Sequence, residues 1–165
     1  MKKIICAVLF FLIMTFLSAE NGSRKDFFVT IEPIQGTRDS FLLFCSAEEL
    51  SAKKNASSIF TTRLPTLPLK LGKWTESIYV IPGMKSPLQT ICLKENIKFT
   101  FPVVGISRKV LLEKDPDFPG EYRLSIYWYD GKYKTGMVPE SFRIWSVISL
   151  VPGKTEKIAS LKVEQ

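Results

Sequence analysis

The stretch EYRLSIYWYD, residues 121–130, decides the reading of the fold. Successive side chains of an extended strand point to opposite faces. Tyr122, Leu124, Ile126 and Trp128 therefore share one face, which reads as core. Arg123, Ser125, Tyr127 and Tyr129 share the other, polar in its first half and aromatic in its second. Asp130-Gly131 then reads as a two-residue hairpin turn, because both central positions of that turn take positive φ.

Outward from this strand the chain reads as short strands separated by turn residues. DFFVTIEPI (26–34) is rich in β-branched and aromatic residues, and Pro33 marks it as an edge strand. SFLLFC (40–45) is a short apolar run. Ser46 and Glu49 form an S-x-x-E capping pattern, which predicts a short helix near 46–54. The alternative is one longer helix beginning after Asp39, since short apolar runs do not separate strand from helix. SSIFTTR (57–63) is a further strand. LPTLPLKLGKW (64–74) reads as an extended connecting crossover, because Pro65 and Pro68 favour that backbone.

ESIYVIPG (76–83), LQTICL (88–93), NIKFTFPVV (96–104) and RKVLLEK (108–114) read as strands bounded by turn signals. NIKFTF places Ile97, Phe99 and Phe101 on one face. DPDFPG (115–120) is a turn cluster. KYKTGM (132–137), ESFRIWSVISLV (140–151) and EKIASLKVE (156–164) complete the set. In the second of these, Phe142, Ile144, Ile148 and Leu150 make one apolar face, while Trp145, Val147 and Val151 make the other apolar as well. A strand apolar on both faces is either covered or covers a partner. The pattern predicts an all-β fold of eight to ten strands, a two-layer antiparallel β-sandwich. FPGEYRL resembles the turn-then-tyrosine lead-in to a late strand of immunoglobulin-like sandwiches. The resemblance covers about a dozen residues, and no cysteine lies two positions after Tyr122. It implies immunoglobulin-like general architecture, not membership of a family.

The N-terminus reads as a secretory signal. MKKIICAVLFFLIMTFLSA (1–19) opens with two lysines, runs apolar from Ile4 to Phe16 except for Thr15, and ends in Ser18 and Ala19. The alternative is an uncleaved N-terminal anchor. The run is short for a spanning helix, which takes about 20 apolar residues. Residues 1–19 are thus a signal helix and 20–165 a single domain, large enough to bury a core. The expected location is extracytoplasmic: periplasmic, in the cell envelope or secreted. Without Lys2 and Lys3, 21 basic residues stand against 16 acidic ones, and the net charge falls from +7 to +5. The positives are scattered among acids, which describes a solvated surface and not a nucleic-acid site. Asn21 and Asn55 open N-x-S glycosylation patterns.

Export and an even count in the mature chain predict a disulfide between Cys45 and Cys92. It would close a loop of 46 residues, worth about 4 kcal/mol by chain entropy.

The chain contains no histidine. That removes the Ser-His-Asp triad, the Cys-His pair and the usual histidine zinc sites. No glycine-rich phosphate loop precedes a helix. Asp115, Asp117 and Glu121 form the one acidic cluster near enough in a turn to be worth naming, and turn aspartates commonly bond their own backbone. The expected function is a non-enzymatic binding or structural module without cofactor or metal. Its surface would be Tyr127, Tyr129, Lys132, Tyr133 and Trp145, taking a protein or glycan partner, since aromatic rings offer large rigid contact faces; the alternative is that Tyr127 and Tyr129 lie under the 132–139 loop or against a neighbouring strand. A membrane would be met only through an uncleaved N-terminus. The alternative is a carboxylate-dependent hydrolase of envelope or extracellular glycans, built on Asp115 or Asp117 with Glu121.

Overall fold

The computed structural model describes residues 23–53, 56–80, 83, 88–92, 98–133 and 139–163. The signal segment, Asn21 and Asn55 lie outside them. Within them the chain forms antiparallel sheets and no helix. The strands are β1 (Ser23–Pro33), β2 (Ser40–Lys53), β3 (Ala56–Arg63), β4 (Leu67–Lys70), β5 (Thr75–Tyr79), β6 (Leu88–Cys92), β7 (Lys98–Pro102), β8 (Gly105–Lys114), β9 (Tyr122–Tyr133), β10 (Pro139–Leu150) and β11 (Glu156–Val163). One sheet runs β11-β1-β2-β3, with β4 also paired to β2. A second runs β10-β9-β8-β5, and β6 with β7 forms a separate hairpin.

Period-two patterning builds the core. Phe27, Val29 and Ile31 of β1 and Phe41, Leu43 and Cys45 of β2 point one way from the first sheet. Val110 and Leu112 of β8, and Leu124, Ile126 and Trp128 of β9, join them from the second in one buried cluster. The core face read from EYRLSIYWYD is therefore correct for Leu124, Ile126 and Trp128. Each fully buried residue of this kind contributes about 1.5–3 kcal/mol. Tyr122 is half-buried at the margin, its ring edge-on to Phe41 at 4.6 Å.

Four local expectations are overturned by tertiary pairing. The helix near 46–54 does not form: β2 continues through Lys53, with Ala47 opposite Phe27 of β1 on one side and Thr62 of β3 on the other. Two neighbouring strands satisfy that backbone, and a capping pattern at one end cannot compete with two ladders. β1 is interior, lying between β2 and β11. Its Pro33 is tolerated because β11 pairs only as far as Val29. The 64–74 segment contains β4, which pairs with Ser40–Leu43 of β2.

Asp130-Gly131 is not a turn. Both residues continue β9, opposite Phe142 and Ser141 of β10. Asp130 is instead the buried partner of Lys25, with Nζ donating to Oδ2 at 3.0 Å. Gly131 is needed for close approach: a Cβ there would lie 2.5 Å from the Tyr129 hydroxyl and 2.6 Å from the Val103 carbonyl oxygen. The connection from β9 to β10 falls at 134–138, outside the described residues.

Candidate functional site

The site lies on the outer face of the four-stranded sheet. Alternation places Lys109 of β8, Tyr127 and Tyr129 of β9, and Arg143, Trp145 and Val147 of β10 on that face. Tyr127 stands directly opposite Trp145 on one side and Lys109 on the other. The Tyr127 and Trp145 rings are stacked, with centroids 3.7 Å apart and planes 25° apart. Trp74, just before β5, approaches Tyr127 from the far side at 6.2 Å, and Lys109 Nζ sits 5.7 Å from its ring centre.

The β6–β7 hairpin covers part of this face. Phe99 reaches Tyr127, and Phe101 packs on Tyr129 at 4.6 Å. Three polar latches hold β7 down without a continuous ladder. Ser107 Oγ donates to the Thr100 carbonyl, Lys109 Nζ donates to the Lys98 carbonyl at 2.6 Å, and the Thr100 amide donates to Glu76 Oε1 at 3.1 Å. The Tyr129 hydroxyl donates to the Val103 carbonyl at 3.2 Å. Between the hairpin and β10 is a cleft of about 130 Å³, lined by Phe99, Tyr127, Tyr129, Arg143 and Trp145 among others. The Arg143 guanidinium lies over the Phe101 ring at 5.1 Å.

The expected surface is thus brought together, but it is not an open tyrosine patch. Tyr127 and Tyr129 keep only 6% and 4% of their surface in water, because Trp145, Phe99 and Phe101 cover them. Trp145 is the exposed member. Lys132 and Tyr133 continue β9 opposite Glu140 and Pro139, and their side chains lie outside the described residues. Sequence reading left out Trp74, Phe99, Phe101 and Arg143 from the site. The alternation of NIKFTF held the signal for Phe99 and Phe101, since its apolar face needs a surface to cover.

No family model, curated protein or solved structure matches this chain.

The expected Cys45–Cys92 bridge is not made. Cys45 is a free thiol, buried on the core side of β2. Cys92 belongs to β6, in the hairpin that sits on the second sheet. Burial pushes the Cys45 thiol up, and the neighbouring Arg108 guanidinium offsets this only in part. A thiol held protonated in the core is a poor nucleophile. Arg108 is itself buried on the inner face, donating to the Pro65 carbonyl at 2.8 Å and to Ser77 Oγ at 3.3 Å.

The acidic turn is closed by its own hydrogen bonds and ion pairs. Asp115 is engaged by the Ser149 hydroxyl and by the Asp117 amide, and Arg123 stands 3.4 Å from its Oδ1. Arg123 also pairs with Asp117 at 2.8 Å. The Ser149 hydrogen bond, followed by the Asp117 amide, holds the Asp115 carboxyl below its ordinary range. A general acid needs the opposite shift, so Asp115 is unsuited to protonate a glycosidic oxygen near neutral pH. Among the described residues no cluster of three or more His, Cys, Asp or Glu is placed to hold a metal ion.

A pH dependence follows from Asp115. Its folded-state pKa is lowered, so its contribution to stability is complete above the unfolded pKa and is lost as pH falls through the folded one. Ser149→Ala removes the largest cause of the shift. The variant is expected to unfold earlier than wild type at pH 7, and the gap is expected to close as pH falls below the usual carboxylate range. Urea titrations across pH check this; a gap independent of pH would show that Ser149 acts through packing.

Proposed function

We propose that this is an exported, non-enzymatic binding module whose contact surface is the outer face around Trp145. The reading includes a two-layer sandwich of immunoglobulin-like general architecture, supported by the single core shared by both sheets and by Tyr122 at its margin. Export is supported by the signal pattern of residues 1–19. The observation that carries the function is the stacked Trp145–Tyr127 pair. A half-exposed indole fixed on a buried ring is pre-organised, and binding it loses little side-chain freedom. Tryptophan and arginine are enriched among residues that dominate binding energy, and Arg143 lines the same cleft.

The experiment is biolayer interferometry of the immobilised protein against extracellular polysaccharides and surface proteins of its host. Trp145→Ala is expected to weaken the wild-type signal at least about tenfold, with a cooperative unfolding transition retained. Partners that bind wild type and Trp145→Ala equally would overturn the assignment of this face.

A further inference from the structure

β10 is an edge strand whose second half lacks the usual edge protection. It pairs with β9 along its whole length, and among the described residues no strand is hydrogen-bonded to its other side. From Ile144 to Leu150 it carries neither charge nor proline. Proteins usually guard such edges with lysines, prolines or bulges, because unpaired backbone groups accept further strands. β11, at an edge of the other sheet, is guarded in this way. It carries Lys157 and Lys162, and its register with β1 shifts at Phe27/Phe28. On β10, Trp145 and Val147 instead leave 46% and 48% of their surface in water.

The character of residues 142–150 is the same read in either direction from Ser146. Phe142 matches Leu150, Arg143 matches Ser149, Ile144 matches Ile148, and Trp145 matches Val147. Two identical antiparallel strands related by a two-fold axis normal to the sheet place one residue opposite itself at the axis. With Ser146 on that axis, the matched residues are the opposed ones. On the outer face Trp145 meets the partner's Val147, an aromatic–β-branched pair of the favourable kind. On the inner face Ile144 meets the partner's Ile148, and Phe142 meets the partner's Leu150. Phe142 and Ile148 are only partly buried in the single chain, so they gain cover. Arg143 meets serine and not its own copy, so no like charges are opposed. Moving the axis to Val147 would set Trp145 against serine, and moving it to Trp145 would set Ile144 against Ser146. Of these three registers the pattern favours the one centred on Ser146.

We infer that the protein pairs with a second copy of itself through β10, in the register centred on Ser146, joining the two four-stranded sheets into one. The inference rests on the proposed role of the outer face as a contact surface and names a second copy as its partner.

The test is sedimentation equilibrium of the full chain from micromolar to near-millimolar concentration, with two variants. Wild type is expected to show a monomer–dimer equilibrium. Val147→Lys places at the centre of the pairing edge the kind of charge that guards edge strands, and is expected to raise the dissociation constant at least about tenfold, with an unchanged circular dichroism spectrum. Ser146→Cys is expected to cross-link two chains through position 146 on mild oxidation, as mapped by peptide mass. A wild type that stays monomeric overturns the inference. So does a dimer that ignores Val147→Lys or fails to cross-link at position 146, since its contact lies elsewhere. Neither result touches the wider reading, which falls only if Trp145→Ala leaves external binding unchanged.

Discussion

Lys25→Met is expected to lower folding stability by about 3–5 kcal/mol, the range for removing one member of a buried ion pair. Lys25 Nζ lies 3.0 Å from Asp130 Oδ2, and the two side chains keep 4% and 6% of their surface in water. The pair joins β1 to β9, and so ties the two sheets. The ammonium also lies 4.9 Å from the Phe142 ring centre and 5.5 Å from that of Phe27. Methionine keeps the apolar stem among these rings and removes the ammonium with its hydrogen bond to Asp130. Asp130 would then be a buried carboxylate without its cation, and its Oδ1 already has no hydrogen-bond partner among the described residues. The double variant Lys25→Met, Asp130→Leu is expected to recover most of the loss, because both charges then leave the interior together. Urea denaturation of the wild type, both single variants and the double closes the cycle. A loss under about 1 kcal/mol for Lys25→Met would place the pair among solvent-screened bridges.

Trp128→Ala is expected to cost a further-reaching 3–5 kcal/mol or so by opening a cavity in the shared core. The Trp128 ring is 2% exposed and meets Phe27 edge-on, with centroids 5.0 Å apart and planes at 81°. It is the largest fully buried side chain of the described residues and lies where the two sheets meet. Its Nε1 has no hydrogen-bond partner among those residues. Trp128→Phe removes the unpaired N–H but leaves part of the indole's volume empty. The two effects oppose, so its cost is expected to stay below about 1.5 kcal/mol. Equal losses for the two substitutions would show that the indole nitrogen holds a partner that phenylalanine cannot replace.

What the sequence made legible was periodic. Strict alternation in 121–129 identified both faces of β9, and alternation in NIKFTF set Phe99 beside Phe101. Both readings hold among the described residues, Ile97 lying outside them, because a period-two pattern is a property of the strand itself. The misreadings of local structure were largely punctuation, and the Cys45–Cys92 bridge failed because the two residues belong to different sheets. Ser46 and Glu49 resemble a helix cap, Asp130-Gly131 resembles a turn, and Pro33 resembles an edge. Each signal is local, while the outcome was fixed by strands distant in the chain: β1 and β3 around β2, Lys25 against Asp130, and β11 stopping at Val29. The site shows the same division. Trp145 and Tyr127 were named from the sequence, but their stacking and the cover over Tyr127 depend on a strand register and on a hairpin laid across the face. No spacing along the chain encodes either.

The pairing of β1 with β11 joins residues 23–29 to residues 156–163. The chain's first described strand therefore meets its last. During synthesis every other strand is available before that partner exists, and β1 waits with one row of amides and carbonyls unmet. Contacts this far apart in sequence are slow to form, on the scale of milliseconds to seconds for all-β domains. Completion of the larger sheet thus waits until residues 156–163 have been made. A ribosome that stopped short of residue 156 would release a chain whose central strand is open to any other strand nearby.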